Sequence, residues 1–118
     1  MNVEIISIGD ELLIGQTVNT NTSWIGMELS NIGARILKTT TISDQKKEII
    51  DSLIEIDEKT ECVIITGGLG PTKDDITKHT LCEYFETSLE IHEPTLDKIK
   101  AFFAQRKRPM LETNHLQS

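Results

Sequence analysis

A glycine-rich segment in the middle of the chain limits the possible folds most. It covers residues 66–77, with the sequence TGGLGPTKDDIT, and it follows the short apolar run at residues 62–65. That run does not alternate with polar residues, which is typical of a strand covered on both faces of a sheet. Further on, Thr72 and Asp75 have the spacing of a capping box, which predicts a helix over residues 75–86. The segment is therefore predicted to be a turn from a buried strand into a helix.

The composition of this turn indicates an anion-binding backbone. Glycine permits positive φ and close approach to a ligand, and the N–H groups near a helix start attract phosphate. The predicted phosphate-binding or nucleotide-binding residues of the turn are Gly67, Gly68, Gly70 and Thr72.

Two carboxylates, Asp74 and Asp75, follow the glycines. At about 4 Å from a phosphate, each would cost about 4 kcal/mol at an effective dielectric constant near 20. A divalent cation such as Mg²⁺ between the carboxylates and the phosphate would turn this repulsion into attraction. The alternative is that both aspartates only cap the helix and stabilise its positive end.

The remainder of the chain alternates between strand and helix patterns. Strands are predicted at residues 3–8, within 34–42 and at 61–66, with a loop at 12–18. Helices are predicted from Trp24 to the glycine at position 33, around residues 46–56, over 75–86, and from a first turn that contains Pro94. This order implies right-handed crossovers and a mainly parallel sheet covered on both sides, which is a three-layer α/β/α fold of the α/β class.

Apolar residues at helical spacing predict which helix faces pack inward. In the helix around residues 46–56 that face consists of Ile49, Ile50, Leu53, Ile54 and Ile56. In the helix after the glycine-rich turn, Leu81, Tyr84 and Phe85 are predicted to face inward.

Length and charge narrow the class of partner. The chain has 118 residues, which fits one domain, and its net charge of −7 disfavours coating a nucleic acid or an anionic membrane. Its start lacks the pattern of a signal peptide, and no apolar run approaches the roughly 20 residues that span a bilayer. A cytoplasmic location is therefore expected. Cys62 and Cys82 lack metal-ligand spacing and are predicted to be buried, reduced thiols.

Acidic residues follow all three predicted strands. Asp10 and Glu11 follow the first, Asp44 follows the second, and Asp74 and Asp75 follow the third. In a parallel sheet the carboxyl ends of the strands share one edge, where α/β proteins bind ligands. The sequence therefore predicts a divalent metal site, with Mg²⁺ or a similar cation holding a phosphorylated ligand. The alternative is that the loops of an acidic protein are simply acidic.

Two further side chains are predicted near the same edge. Asn19 and Asn21 are neutral hydrogen-bonding candidates for the nucleotide, although capping the first long helix explains them equally well. His79 lies one helical turn beyond Asp75, but an exposed or packed histidine is the simpler interpretation.

Two motifs together resemble a known family. Residues 9–15, GDELLIG, are followed by Asn19-Thr20-Asn21, and residues 67–77 read GGLGPTKDDIT. Both resemble the N-terminal domain of the CinA (competence/damage-inducible) proteins, in the molybdopterin-binding superfamily that includes MogA, MoaB and part of MoeA. Arg108-Pro109-Met110 and Asn114 also fit the CinA pattern, so the resemblance extends over nearly the whole chain.

The resemblance implies a molybdopterin-binding-domain-like fold that binds a small phosphorylated nucleotide or pterin. It identifies residues 1–118 as a single, incomplete domain without the family's C-terminal amidase domain, and it implies a homo-oligomer. By motif position, the two aspartates that serve adenylation in MogA correspond to Asp44 and Asp75. Many MogA-like sequences have arginine where this chain has Asp74, and this departure favours the CinA branch.

The resemblance also implies a reaction. CinA-type domains are associated with metal-dependent ADP-ribose pyrophosphatase activity, so the first functional hypothesis is a hydrolase of a nucleotide pyrophosphate bond. In that hypothesis Asp10, Glu11, Asp74 and Asp75 hold the metal, and Asp44 or Asp75 orients or deprotonates water. The alternatives are a non-catalytic nucleotide- or pterin-binding module of a CinA-type nicotinamide-nucleotide amidase, and a MogA-like adenylyl transfer to molybdopterin.

Overall fold

The computed structural model describes residues 1–73, 75–106, 109–111 and 114. Within them the strands are β1 (Asn2–Ile8), β2 (Arg35–Ile42) and β3 (Cys62–Thr66). The helices are α1 (Asp10–Leu13), α2 (Thr20–Asn31), α3 (Lys46–Ile54), α4 (Thr77–Tyr84) and α5 (Glu93–Gln105). The predicted alternation of strands and helices is confirmed.

Three helix starts differ from the sequence-based prediction. The short helix α1 begins at Asp10, so it occupies the start of the predicted loop at residues 12–18. Helix α2 begins at Thr20 and not at Trp24, because the side chain of Asn19 accepts a hydrogen bond from the N–H of Thr22 and caps the helix there. Helix α4 begins at Thr77, two residues after the predicted start.

The three strands form a parallel sheet in the order β2-β1-β3. The central strand β1 is buried from Val3 to Ile8. Successive side chains of a strand point to opposite faces, so Ile6 and Ile8 lie on one face of the sheet while Ile5 and Ser7 lie on the other. The α/β class and the parallel sheet are therefore confirmed.

One face of the sheet carries the hydrophobic core. Ile6 and Ile8 of β1 and Ile42 of β2 pack with Ile49 and Leu53 of α3. Each buried side chain of this size contributes about 2 kcal/mol relative to an exposed one. Half-buried neighbours extend this core towards β3 and α4, namely Ile56, Val63, Ile65, Ile76 and Leu81.

The other face of the sheet meets α2 through polar contacts. The Ser7 hydroxyl, 1% exposed, lies 2.7 Å from the Thr22 hydroxyl of α2. Since α2 and α3 lie on opposite faces, the predicted three-layer arrangement holds for these elements.

A buried carboxylate anchors the opposite end of the sheet. Glu4 is only 3% exposed, and its Oε2 accepts hydrogen bonds from the N–H of Asp57, at 3.0 Å, and from the Thr60 hydroxyl. These bonds satisfy the charge and fasten the α3–β3 connection to β1. Glu4 is therefore structural, at the edge opposite to the predicted ligand site.

Some apolar residues predicted to face inward are exposed. Ile54 is 66% exposed, because it lies at the end of α3 and outside the stripe formed by Ile49 and Leu53. Tyr84 and Phe85 are 40% and 64% exposed, and their rings pack edge to face against each other at the end of α4. In α4 only Leu81 of the three predicted residues packs against the core. Cys62 and Cys82 are free thiols and half-buried.

Candidate ligand-binding site

The carboxyl ends of all three strands lie at one edge of the sheet. The parallel register pairs Ile8 of β1 with Ile42 of β2, and Ser7 of β1 with Thr66 of β3. The chain leaves β1 towards β2 on one side and later crosses to β3 on the other side. The gap between the ends of β1 and β3 is therefore a topological switch point, where open α/β sheets bind ligands.

A cleft of about 220 Å³ lies at this switch point. The ends of β1 and β3, the start of the glycine-rich turn, and the connection from α1 into α2 enclose it. Its lining residues are Ile8, Glu11, Leu12, Thr17, Val18, Asn19, Thr20, Asn21, Thr66 and Gly67. Among these residues Glu11 is the only charged one, and most of the rest carry hydroxyl or amide groups.

The glycine-rich turn approaches the end of β1 closely. Gly67 has φ of +93°, and a Cβ atom there would lie 1.9 Å from the carbonyl oxygen of Ile8. Gly68 has φ of +61°, and a Cβ atom there would lie 2.2 Å from the Thr77 hydroxyl oxygen. Side chains are thus excluded by conformation and by space at both positions.

Thr77 fixes the glycine-rich turn through two hydrogen bonds to its backbone. It is fully buried, its hydroxyl donates to the carbonyl of Gly67 at 2.9 Å, and its N–H donates to the carbonyl of Gly68 at 3.2 Å. In a trans peptide the N–H points away from the preceding carbonyl. The N–H groups of Gly68 and Leu69 therefore point away from Thr77, which leaves them as candidates for binding an anion.

A hydroxyl network joins two residues that line the cleft, Asn19 and Thr66, to the buried Ser7. The Ser7 hydroxyl accepts from the Asn19 side-chain amide at 3.0 Å and from the Thr66 hydroxyl at 3.5 Å, and it is paired with the Thr22 hydroxyl. The network joins β1, β3 and the start of α2. Because Asn19 also caps α2 through its Oδ1 atom, the cap and the cleft are built from the same side chain.

Glu11 lines the cleft, and its side chain packs over the glycine that precedes α1. A Cβ atom on Gly9 would lie 2.5 Å from Oε1 of Glu11. The carboxylate is thus folded back over Gly9, at the end of β1. The carbonyl of Glu11 also accepts from the N–H of Thr17 at 3.1 Å, which fixes the loop that forms one wall of the cleft.

Asp75 is folded back over Gly70 in a similar way. Its Oδ2 atom lies 2.5 Å from the place of a Gly70 Cβ, and it accepts hydrogen bonds from the Thr72 hydroxyl and from the Thr72 N–H, the latter at 3.2 Å. The bond from the Thr72 hydroxyl, assisted by backbone donors and Lys78, lowers the pKa of the Asp75 carboxyl below its ordinary value. The predicted pairing of Thr72 with Asp75 exists, although it closes a turn ahead of α4 and does not cap the helix.

The cleft unites four of the residues predicted from sequence. Glu11, Asn19, Asn21 and Gly67 line it, and Gly68 follows directly in the turn. Asp10 is exposed in α1, and Asp44 lies half-buried between β2 and α3. The other predicted residues of the turn, Gly70, Thr72 and Asp75, form their own local contacts.

The predicted metal ligands do not form a cluster in the part of the chain that the structure describes. Among those residues, no group of three or more His, Cys, Asp or Glu side chains is placed to hold a metal ion. Asp74, one of the predicted ligands, lies outside the described residues. The metal-binding assignment of Asp10, Glu11, Asp74 and Asp75 stays a prediction.

Several residues of the cleft were not predicted from sequence. Thr66 lines the cleft at the end of the apolar strand β3, and its hydroxyl donates to Ser7 near the end of β1. Thr17 and Val18 lie in the connection before α2, and Thr20 is the first residue of α2. A polar residue near the carboxyl end of a buried strand is the signal that would have identified Thr66 and Ser7. The other three residues carry no comparable signal, because their position depends on how α1 turns back over β1.

The fold is that of a molybdopterin-binding domain. Residues 4–116 match the family model described as a probable molybdopterin binding domain, and the chain belongs to this family. Over 97% of its length the chain is 45% identical to a CinA-like protein of Flavobacterium psychrophilum, and it spans 28% of that protein. Other relatives matched with similar coverage are described as competence-damage inducible proteins.

Solved structures agree with this assignment. The crystal structure of CinA from Thermoplasma acidophilum, a protein of unknown function, matches 98% of this chain with a TM-score of 0.80 at 31% identity, and the match covers 67% of that protein's chain. MoaB of Pyrococcus furiosus, described as a tungsten cofactor synthesizing protein, matches 68% of this chain and 50% of its own, with a TM-score of 0.63 at 27% identity. The chain is thus similar to CinA over nearly all of its length.

None of the helices in the described residues is both long enough and apolar enough to cross a membrane.

Proposed function

We propose that this chain is a binding module for a phosphorylated pterin or nucleotide, working as one part of a longer CinA-type protein. The observation that carries the proposal is the cleft at the switch point between β1 and β3, directly beside the glycine-rich turn. The molybdopterin-binding family supports a pterin or nucleotide as the ligand class. The curated relatives are more than three times as long as the region they share with this chain, so the proposal concerns only this domain.

The ligand's phosphate would bind the N–H groups of Gly68 and Leu69. Those groups point away from Thr77, and glycine at position 67 lets the turn approach β1 closely. Backbone N–H groups in such a turn stabilise an oxyanion without a basic side chain. The non-phosphate part of the ligand would then occupy the cleft between Glu11 and Thr66.

Pyrophosphate hydrolysis is the second candidate function. Asp44 or Asp75 would act on water, and a divalent metal held by Asp10, Glu11, Asp74 and Asp75 would neutralise phosphate charge. The described side chains do not by themselves form a metal-binding set, and the names of the family and of the matched relatives do not refer to ADP-ribose hydrolysis. Adenylyl transfer of the MogA type is a further alternative at the same edge. The binding proposal depends on neither reaction.

One experiment separates binding from hydrolysis. The chain is titrated by calorimetry with ADP-ribose and, separately, with a pterin monophosphate, with and without Mg²⁺, and each mixture is then analysed for products by chromatography. The proposal predicts saturable binding of at least one ligand and its unchanged recovery. Release of AMP and ribose phosphate that Asp75→Asn abolishes would establish the hydrolase instead. If neither ligand binds, the proposal that this chain is a binding module is refuted.

A further inference from the structure

The strand β2 has one edge that no other strand covers in the part of the chain that the structure describes. It has eight residues and pairs with β1 on its other side. The carbonyl of Ile42 accepts from the N–H of Gly9, which follows β1. Backbone groups alternate in direction along a strand, so those of Thr39 and Thr41 point to the uncovered side. Such an edge is a template for the addition of a further strand.

A groove of about 510 Å³ lies beside this edge, between β2 and α2. Gly26 and Met27 of α2 and Ile36 and Thr39 of β2 are among its described lining residues, and none of those residues is charged. Ile36 and Thr39 share one face of the sheet because the register with β1 shifts between them, which makes Leu37 an extra residue. At Gly26 nothing lies within 4 Å of the place of a Cβ atom. The groove can therefore accept an apolar side chain.

The opposite face of β2 is basic. Arg35 is paired with Asn2 and Lys38 with Glu4, and by alternation these partners lie on the same face of β1 as Ile6 of the core. Paired residues of neighbouring strands share a face, so both cations are on the α3 side of the sheet. Arg35 and Lys38 are exposed, and neither forms an ion pair with a described residue. The strand itself contains no acidic residue.

We propose that the uncovered edge of β2 binds an extended acidic segment of a partner protein, which adds a strand to the sheet. Apolar side chains of the segment enter the groove between α2 and β2, and its alternate carboxylates pair with Lys38 and Arg35 on the other face. An antiparallel pair of two β2 strands from two copies of this chain would instead bring four cations and no carboxylate to one face.

This surface is separate from the proposed ligand site. The groove shares no described lining residue with the cleft between β1 and β3. Strand addition at β2 therefore does not depend on the proposed function, and either can fail without the other.

The test is peptide binding measured by fluorescence anisotropy. The probe is a labelled peptide that alternates valine and glutamate over the length of β2. One control peptide has lysine in place of glutamate, and another has the same composition with its valines and glutamates in two blocks. We expect saturable binding of the alternating acidic peptide, and binding about 10-fold weaker or less for both controls. The net charge of −7 favours the lysine peptide overall, so a preference for glutamate reports the local cations.

Two variants change the surface in different ways. Gly26→Leu fills the groove and replaces glycine inside a helix, so it should raise the melting temperature while it weakens peptide binding about 10-fold. Lys38→Gln should weaken binding about 3-fold, because the ion pair is exposed. The matched controls are Glu28→Leu, which adds leucine to α2 outside the groove, and Lys47→Gln on α3. Both should bind the peptide within about 2-fold of the wild type.

Three results would overturn the inference. The first is absence of saturable binding of the alternating acidic peptide to the wild-type chain. The second is binding by Gly26→Leu, or of either control peptide, as tight as that of the wild type with the acidic peptide. The third comes from sedimentation: if the wild-type chain is a dimer that Gly26→Leu dissociates, the surface binds a second copy and not an acidic strand.

Discussion

At the scale of single residues, glycines shape the ligand-binding edge by leaving space that other groups fill. The Glu11 carboxylate fills the space over Gly9, the Asp75 carboxylate fills the space over Gly70, and the Ile8 carbonyl lies against Gly67. The sequence predicted that glycines 67, 68 and 70 bring backbone close to a ligand. The sequence could not show that the Asp75 carboxylate turns back over Gly70, because that contact depends on the path of the chain between the two residues.

Substitution of Gly67 should be far more costly than substitution of another glycine with positive φ. Gly67→Ala adds a clash with the Ile8 carbonyl to the cost of the backbone conformation, whereas Gly15 has φ of +77° and open space around it. We expect Gly15→Ala to lower the free energy of unfolding by about 1 kcal/mol and Gly67→Ala to lower it by about 3 kcal/mol. Urea denaturation measures both. Equal losses would mean that the turn does not pack against β1.

The Thr72 hydroxyl should determine the titration of Asp75. Because it lowers the pKa of Asp75, the contact stabilises the fold above the ordinary carboxyl pKa, near 3.9, and this stabilisation is lost as the pH falls through the lowered value. In Thr72→Val the Asp75 pKa should rise towards the ordinary value, as measured by carboxyl NMR titration. The stability difference between wild type and variant should be present at pH 7 and vanish at low pH. An unchanged Asp75 titration would contradict the assignment.

At the scale of elements, the start of α2 shows how a tertiary contact fixes a helix boundary. Five consecutive polar residues, 19–23, could each have capped the helix, and the sequence placed its first turn at Trp24. Asn19 is the cap because its amide also donates to Ser7 on β1. The choice among the five candidate caps thus depends on Ser7, which lies 12 positions away in the sequence. The pattern of apolar residues in α2 does not reveal this contact.

Removing this cap should weaken α2 and the hydroxyl network of Ser7 together. Asn19→Ala loses the bond to the Thr22 N–H and the bond to the Ser7 hydroxyl, so we expect the free energy of unfolding to fall by about 2 kcal/mol. Asn31→Ala at the exposed end of the same helix should change it by less than about 0.5 kcal/mol. Thermal or urea unfolding of the two variants provides the comparison. If Asn19→Ala and Asn31→Ala lower the free energy of unfolding by similar amounts, the hydrogen bonds of Asn19 add no stability.

At the scale of the whole molecule, the parallel sheet was predictable because two kinds of signal agree. The apolar runs of β1 and β3 and the intervening helix patterns indicate parallel strands, and the ends of the strands then share an edge. Which polar side chains meet at that edge was harder to predict. Glu11, Asn19, Asn21 and Gly67 line the cleft, whereas Asp10 in α1 and Asp44 between β2 and α3 are not among its lining residues.

The exposed aromatic residues at the end of α4 show that helical periodicity alone does not predict burial there. Their spacing from Leu81 predicted that Tyr84 and Phe85 would be buried with it. Because α4 ends at Tyr84, both side chains lie at the end of the helix and are exposed. Glu4 shows the converse case. A charged residue in the middle of a strand is buried because the connection after α3 supplies donors for it.

The central claim is that the edge between β1 and β3 binds the ligand, and amide NMR mapping tests it most directly. ADP-ribose and a pterin monophosphate are each titrated into the chain labelled with ¹⁵N. The account predicts that, for the ligand that binds, the largest shift changes occur at Glu11, at Val18 to Asn21, and at Gly67 to Leu69. Changes confined to the groove between α2 and β2, around Met27 and Ile36, or to α5 would contradict it.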